Sequence, residues 1–278
     1  MKKLLFALLL TGCARYDQLQ IAAAASLQDA LREIGAEYEQ STRDQVSFSF
    51  GASNVLVMQI TNGAPVDVFF SADEPTMDKI ASRVALREDV LSNELVVVST
   101  TSIDDLRNVK RLALGDPNAV PAGVYAKQYF QRAGLWEALQ PKVIPMENVR
   151  AALAAADNGS VDAAVVYRTD ARLAKHAHIV RSLPGIDIRY PVAVLRDAKH
   201  GDAARRFVAF LRSPQATAVF TKFGFTVLPR TQQSDVLALR SSGGASRLRT
   251  TALTRPSPPP ASSRTSDTTS TPPARSQS

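Results

Sequence analysis

"GDPNAVPAGVYAK" (residues 115–127) places a proline, an alanine and a glycine where a short apolar strand gives way to a helix. The strand is "RLALG" (111–115) and the helix is expected over 122–133. Pro121 suits a first helical turn, because its missing N–H would have had no intrahelical partner there. Such a turn leaves backbone N–H groups unpaired at the positive end of the helix dipole. Residues as small as Ala122 and Gly123 let another atom come close to those groups. A strand, a tight junction and a helix whose first turn is uncluttered make an α/β unit, and the rest of the chain repeats it.

Upstream, "LQIAAA" is a short apolar strand, followed by a helix with Leu27, Ala30, Leu31, Ile34 and Tyr38 on one face. "QVSFSF" reads as a strand, "NVLVMQITNG" as a helix ending at Gly63, and "VDVFFS" as a strand. A helix over 75–82 and the strand "ELVVVST" follow. Downstream come the strand "KVIP", a helix over 148–158, the strands "DAAVVY", "HIVRSL" and "YPVAVL", and helices over 202–211 and 214–223. Strands this apolar, alternating with helices, imply parallel-rich sheets covered on both faces. A chain of 278 residues is long enough for two such units. No internal repeat is visible.

The ends differ from the body. "MKKLLFALLLTGC" (1–13) has two lysines and an apolar run too short for a membrane span, and reads as an export signal. "LTGC" resembles the lipobox of bacterial lipoproteins, in which the cysteine is lipidated; Cys13 is the single cysteine of the chain. An ordinary signal peptide cut a few residues later is the alternative. Residues 231–278, rich in Ser, Thr, Pro and Arg, hold too little apolar surface to offset the entropy of ordering and are expected to be disordered. The net charge of +7 is concentrated at these ends, with Lys2, Lys3 and the arginines of the tail. A body close to neutral argues against nucleic acid as a partner.

Several strand-to-helix junctions share one chemistry. Ser26 stands where an N-cap is expected, with Asp29 as capping-box partner. "FGASNV" sets Gly51, Ala52 and Ser53 before the second helix, and "PMENVRAAL" begins another near Asn148 and Val149. Taken singly these are caps and turns. Together, in an exported two-unit chain, they suggest an anion site made of helix N-termini.

The segments "AAAASLQDAL", "FGASNVLVMQI", "GAPVDVFFSAD", "GDPNAVPAGVYAKQ", "ENVRAAL" and "AAVVYRTDA" resemble the periplasmic molybdate-binding proteins of ABC importers, in order and from about residue 19 to 225. The resemblance implies a class II periplasmic binding protein: an α/β, two-lobed fold, each lobe a mixed sheet flanked by helices, joined by crossing strands. Lobe I is expected over 17–98 plus 195–230 and lobe II over 99–194, with "ELVVVST" and "YPVAVL" crossing. It implies molybdate or tungstate as cargo and no cofactor. Hydroxyl and backbone N–H groups of Ser26 and Ser53, backbone N–H groups of Ala122 and Val149, and the phenol of Tyr167 would hold the ion, with no direct ligand to the metal. The implied partners are a membrane permease and its ATPase, with the protein itself a monomer, extracytoplasmic and anchored through Cys13.

That donor set is physically coherent. A desolvated dianion is costly unless every oxygen accepts hydrogen bonds, each worth roughly 1.5–3 kcal/mol when one partner is charged. A set of donors that brings no carboxylate suits a fully deprotonated dianion and leaves the proton of monohydrogen phosphate without a matching carboxylate acceptor. Sulfate differs only in size, so sulfate and tungstate stay open as cargo, as does a signalling lipoprotein without transport.

Catalysis is not expected. A serine nucleophile would need a base, and His176, His178 and His200 stand in no such context. Ferric-ion binders of this fold commonly use adjacent tyrosines, and none of the six here are neighbours. Trp136, Phe207, Phe210, Phe220 and Phe223 are assigned to core packing. Arg150, beside Val149, is expected to face solvent or the lobe interface rather than the ion.

Overall fold

The computed structural model describes residues 18–230; Cys13, the signal segment and the tail at 231–278 lie outside them. Strand β1 (Gln18–Ala24) leads through a single 3₁₀ turn (Ala25–Leu27) into α1 (Gln28–Ser41). Then come β2 (Gln45–Gly51), α2 (Ser53–Thr61), β3 (Val68–Phe70), α3 (Glu74–Asp78) and β4 (Val84–Ser99). The next stretch holds β5 (Leu112–Gly115), α4 (Pro121–Arg132), α5 (Trp136–Leu139), β6 (Val143–Met146), α6 (Val149–Asp157), β7 (Ala163–Tyr167) and α7 (Arg168–Ala171). The chain returns through β8 (His178–Leu195), α8 (Gly201–Phe210), α9 (Pro214–Lys222) and β9 (Thr226–Val227).

Among the described residues these strands form one sheet in the order β2-β1-β3-β8-β4-β7-β5-β6, with β9 paired to β4. The β1–β2, β1–β3, β5–β6 and β5–β7 pairs are parallel. Parallel pairing needs crossover helices, and those helices cover both faces; this is why β1, β3, β5 and β7 are almost wholly apolar. The exceptions are β4 and β8, which pair antiparallel along their whole lengths. β3 joins the Val192–Val194 part of β8, and β7 joins the Leu95–Val98 part of β4. The two lobes of the fold thus hang on one pair of long strands.

Sequence and structure part company over β4 and β8. "ELVVVST" is only the second half of β4, and "HIVRSL" and "YPVAVL" are two ends of a single β8. The first half of β4, "VALREDVLS", mixes charged with apolar residues, buries only Val90 and Leu91 fully, and shifts register against β8 twice, between Val84 and Leu86 and between Asp89 and Leu91, so no continuous apolar signal marks it. The helix expected over 75–82 is a five-residue α3 followed by a 3₁₀ turn at Ala81–Arg83.

The helix α1 packs Leu27, Ala30, Leu31, Ile34 and Tyr38 inward as its spacing predicts. Tyr38 meets Phe207 and Phe210 edge-on at 5.2 and 5.3 Å. Trp136, Phe207 and Phe220 are buried, while Phe210 and Phe223 are half-buried at the rim of the same core. Among the described residues no helix is long and apolar enough to cross a membrane.

Candidate functional site

Parallel strands deliver their C-terminal ends, and the N-termini of the helices that follow, to one edge of a sheet. Here that edge is shared by both lobes. The ends of β1 and β2, the residue Ala72 after β3, the first turns of α4 and α6 and the end of β7 surround one small cavity of about 20 Å³. Pockets for organic ligands run from about 300 to 1,000 Å³, far above this one, whose size suits a small ion.

All five residues expected at the site, Ser26, Ser53, Ala122, Val149 and Tyr167, line this cavity. Gly51, Ala52, Val120, Pro121 and Asn148 line it too, and no residue with a charged side chain does. Each of the five is buried, at 4 % exposure or less.

Local structure leaves their donors available. Ser53 opens α2 behind the cap residue Ala52, which offers no side-chain bond. Its hydroxyl oxygen accepts the Ala72 backbone N–H at 3.0 Å, so its own proton is not needed for that contact. At α6, Asn148 is the N-cap and its Oδ1 accepts from the N–H groups of Arg150 (2.9 Å) and Ala151 (3.0 Å). The Val149 N–H stays outside that capping set. At α4, the N–H groups of Ala122 and Gly123 belong to the first turn, which has no intrahelical acceptors.

Tyr167 is the sharpest case. It is 1 % exposed, and its phenolic oxygen has no hydrogen-bond partner among the described residues. Burial pushes the phenol well above its ordinary range, so it is a neutral O–H donor. A buried hydroxyl without a partner costs about 1–3 kcal/mol, and it lies at the wall of a cavity.

Ser26 departs from expectation. It is not an N-cap and has no capping box with Asp29. It lies inside the 3₁₀ turn, whose cap residue is Ala24, and α1 begins behind Leu27 with no side-chain cap. Its Oγ is 3.2 Å from the Tyr190 hydroxyl. Asp29 serves another purpose: its Oδ2 is 2.7 Å from Arg150 Nη2. Arg150 Nε is 2.6 Å from Asp170 Oδ1, and Nη2 also donates to the Ser26 carbonyl oxygen at 3.4 Å. Arg150 therefore ties the start of α6 to α1 and α7, at the junction of the lobes and away from the cavity lining. Asp170 is fully buried, and desolvation pushes its carboxyl up to about 6 against the pull of Arg150.

His176 and His178 are exposed, with the His176 backbone N–H bonded to Asp157. His200 pairs with Asp67. None of the three lines the cavity. Sequence reasoning missed Asn93, Tyr190, Asp170 and the Ala72 N–H. The Asn148 cap had a local signal, an Asn directly before an apolar-periodic run, but the others are brought in from elements far away in the chain.

The arrangement is a small cavity ringed by neutral donors, at the converging N-termini of helices from both lobes. Known proteins agree with it. The sequence profile of the bacterial extracellular solute-binding proteins matches residues 19–226. The molybdate-binding protein ModA of Escherichia coli (strain K12) is 36% identical over 242 residues, covering 80% of this chain and 94% of that protein. The ModA of Haemophilus influenzae is 30% identical over 248 residues, covering 81% and 97%. Among solved structures, the periplasmic molybdate-binding protein of Azotobacter vinelandii superposes with a TM-score of 0.67 at 23% identity, over 76% of this chain and 99% of that one. On the extent of these matches, the chain belongs to the bacterial extracellular solute-binding protein family.

Proposed function

We propose that this protein captures molybdate, or tungstate, outside the cytoplasm and delivers it to the permease and ATPase of an ABC importer. The observation that carries the reading is the cavity itself: hydroxyls of Ser26, Ser53 and Tyr167 and first-turn N–H groups of Ala122 and Val149, with no charged side chain in the lining. A dianion there would accept from every side, helped by the positive ends of α2, α4 and α6. No cofactor enters this reading, and it assigns no catalytic step. The relatives' names point to the same cargo.

Closure would bring lobe I (17–98 plus 195–230) onto lobe II (99–194), with β4 and β8 as the crossing strands, and the closed monomer is the form offered to the permease. Attachment to the membrane through a lipid on Cys13 belongs to the same proposal and is checked by mass spectrometry of the native N-terminus. The decisive experiment is calorimetric titration with molybdate, tungstate, sulfate and phosphate. Strong heats for the first two and weak ones for the others are expected. Equal heats for sulfate and molybdate would reduce the assignment to a general oxyanion binder.

A further inference from the structure

A hydroxyl both donates and accepts, so a serine excludes a protonated anion only if its own proton is committed to the cavity. At Ser26 the surroundings impose that commitment. Ser26 Oγ lies 3.2 Å from the Tyr190 phenolic oxygen, which lies 3.2 Å from Asn93 Nδ2. Asn93 is oriented in turn by the backbone: its Oδ1 accepts the Glu94 N–H at 2.9 Å. Reversing the amide would set N–H against N–H. The Nδ2 protons therefore go to Thr169 Oγ1, at 2.9 Å, and to Tyr190.

A Tyr190 oxygen that accepts from Asn93 has a single proton to place, and Ser26 Oγ is its other hydrogen-bond neighbour in the structure. Ser26 then accepts from the protein and keeps its own proton for the cavity. Ser53 is set in the same sense by the Ala72 N–H. The register explains the meeting. Tyr190 of β8 is opposite Leu91 of β4, and Asn93, two residues on, shares that face. Asn93, Tyr190 and Ser26 are all buried, so bulk water is not a ready substitute partner. Desolvation also keeps the Tyr190 phenol neutral, well above its ordinary range.

We infer that Asn93 and Tyr190 form a one-way hydrogen-bond chain that fixes Ser26 as a donor and so makes them specificity-determining positioning residues against protonated oxyanions. The inference rests on the oxyanion reading above and adds residues that do not themselves line the cavity. Sulfate and monohydrogen phosphate are both tetrahedral and similar in size but differ by a proton, so the chain acts on phosphate and leaves sulfate alone.

The test is competition titration of the full chain at pH 8, with sulfate or phosphate displacing molybdate. The proteins are wild type, Tyr190→Phe, Asn93→Leu, Ser26→Ala and the doubles of Ser26→Ala with each relay variant. Without the relay the Ser26 hydroxyl is free to turn and accept the phosphate proton. Tyr190→Phe should therefore narrow the molybdate-to-phosphate preference about tenfold, the worth of one mismatched hydrogen bond near 1.4 kcal/mol. The molybdate-to-sulfate preference should hardly move. Asn93→Leu should act in the same direction, and it decides the matter if Tyr190→Phe does not fold. Neither change should alter the phosphate preference once Ser26 is alanine. An unchanged phosphate preference in a folded variant, or the same narrowing in the Ser26→Ala background, overturns the inference. A wild-type protein that takes none of these anions removes the oxyanion reading itself.

Discussion

At Gly123 the issue is space. A Cβ there would stand 1.8 Å from the Gly115 carbonyl oxygen and 2.8 Å from that of Asp116, both backbone atoms with little room to yield. The glycine in "PAG" is thus required by β5 packing against the first turn of α4, while Ala122 beside it lines the cavity. Gly123→Ala should cost about 3 kcal/mol or more, at the upper end of overpacking effects, and urea unfolding would show it. Tyr167 has the opposite signature. Its hydroxyl has no partner to lose among the described residues, so Tyr167→Phe should leave the melting temperature unchanged or raise it. The same change should weaken molybdate binding by roughly 10- to 100-fold, the worth of one bond to a charged group. A melting temperature that fell with affinity intact would reverse that assignment. Both residues can be picked out in the sequence as members of motifs, but their reasons cannot, because the atoms they answer to come from other elements.

At the scale of the element, α6 shows how one helix start serves two purposes. Asn148 caps the N–H groups of Arg150 and Ala151, which leaves Val149 for the cavity, and the Arg150 side chain turns away to Asp29 and Asp170. The sequence led to the expectation that Arg150 faces solvent or the lobe interface rather than the ion, and it does not line the cavity; its carboxylate partners were not legible. Asp170 is wholly buried and its folded-state pKa is raised, so the folded protein holds a proton there more tightly than the unfolded chain. Its contribution to stability therefore falls as pH rises from the ordinary carboxylate range toward about 6. Arg150→Met removes the charge that opposes this shift, so the pKa should climb further. The variant should lose about 3 kcal/mol relative to wild type at pH 8, and less at pH 5, where Asp170 can be protonated. Urea titrations at the two pH values measure the difference; a deficit larger at pH 5 would contradict the arrangement. The Ser26 capping box failed as an expectation for a related reason. Its spacing was right for a cap, but a 3₁₀ turn intervenes before α1 and carries the serine toward β8.

For the whole molecule, the proposed lobes put Ser26 and Ser53 on one side of the cavity and Ala122, Val149 and Tyr167 on the other, so on that proposal an ion between them would draw the lobes together. Small-angle scattering should then show a smaller radius of gyration with saturating molybdate. No change on loading would count against closure. The alternation of strand and helix, the buried face of α1 and the small-residue junctions were all readable along the chain, because periodicity, turn chemistry and helix starts depend on neighbours a few residues away. The linking of both lobes through β4 and β8 was only half readable, since register shifts and interspersed charged residues hide the first part of β4. The direction of the Ser26 proton lay beyond any local reading. It is set by Tyr190, 164 residues downstream, and a hydrogen bond acts only over about 3 Å once the backbone has brought its two ends together.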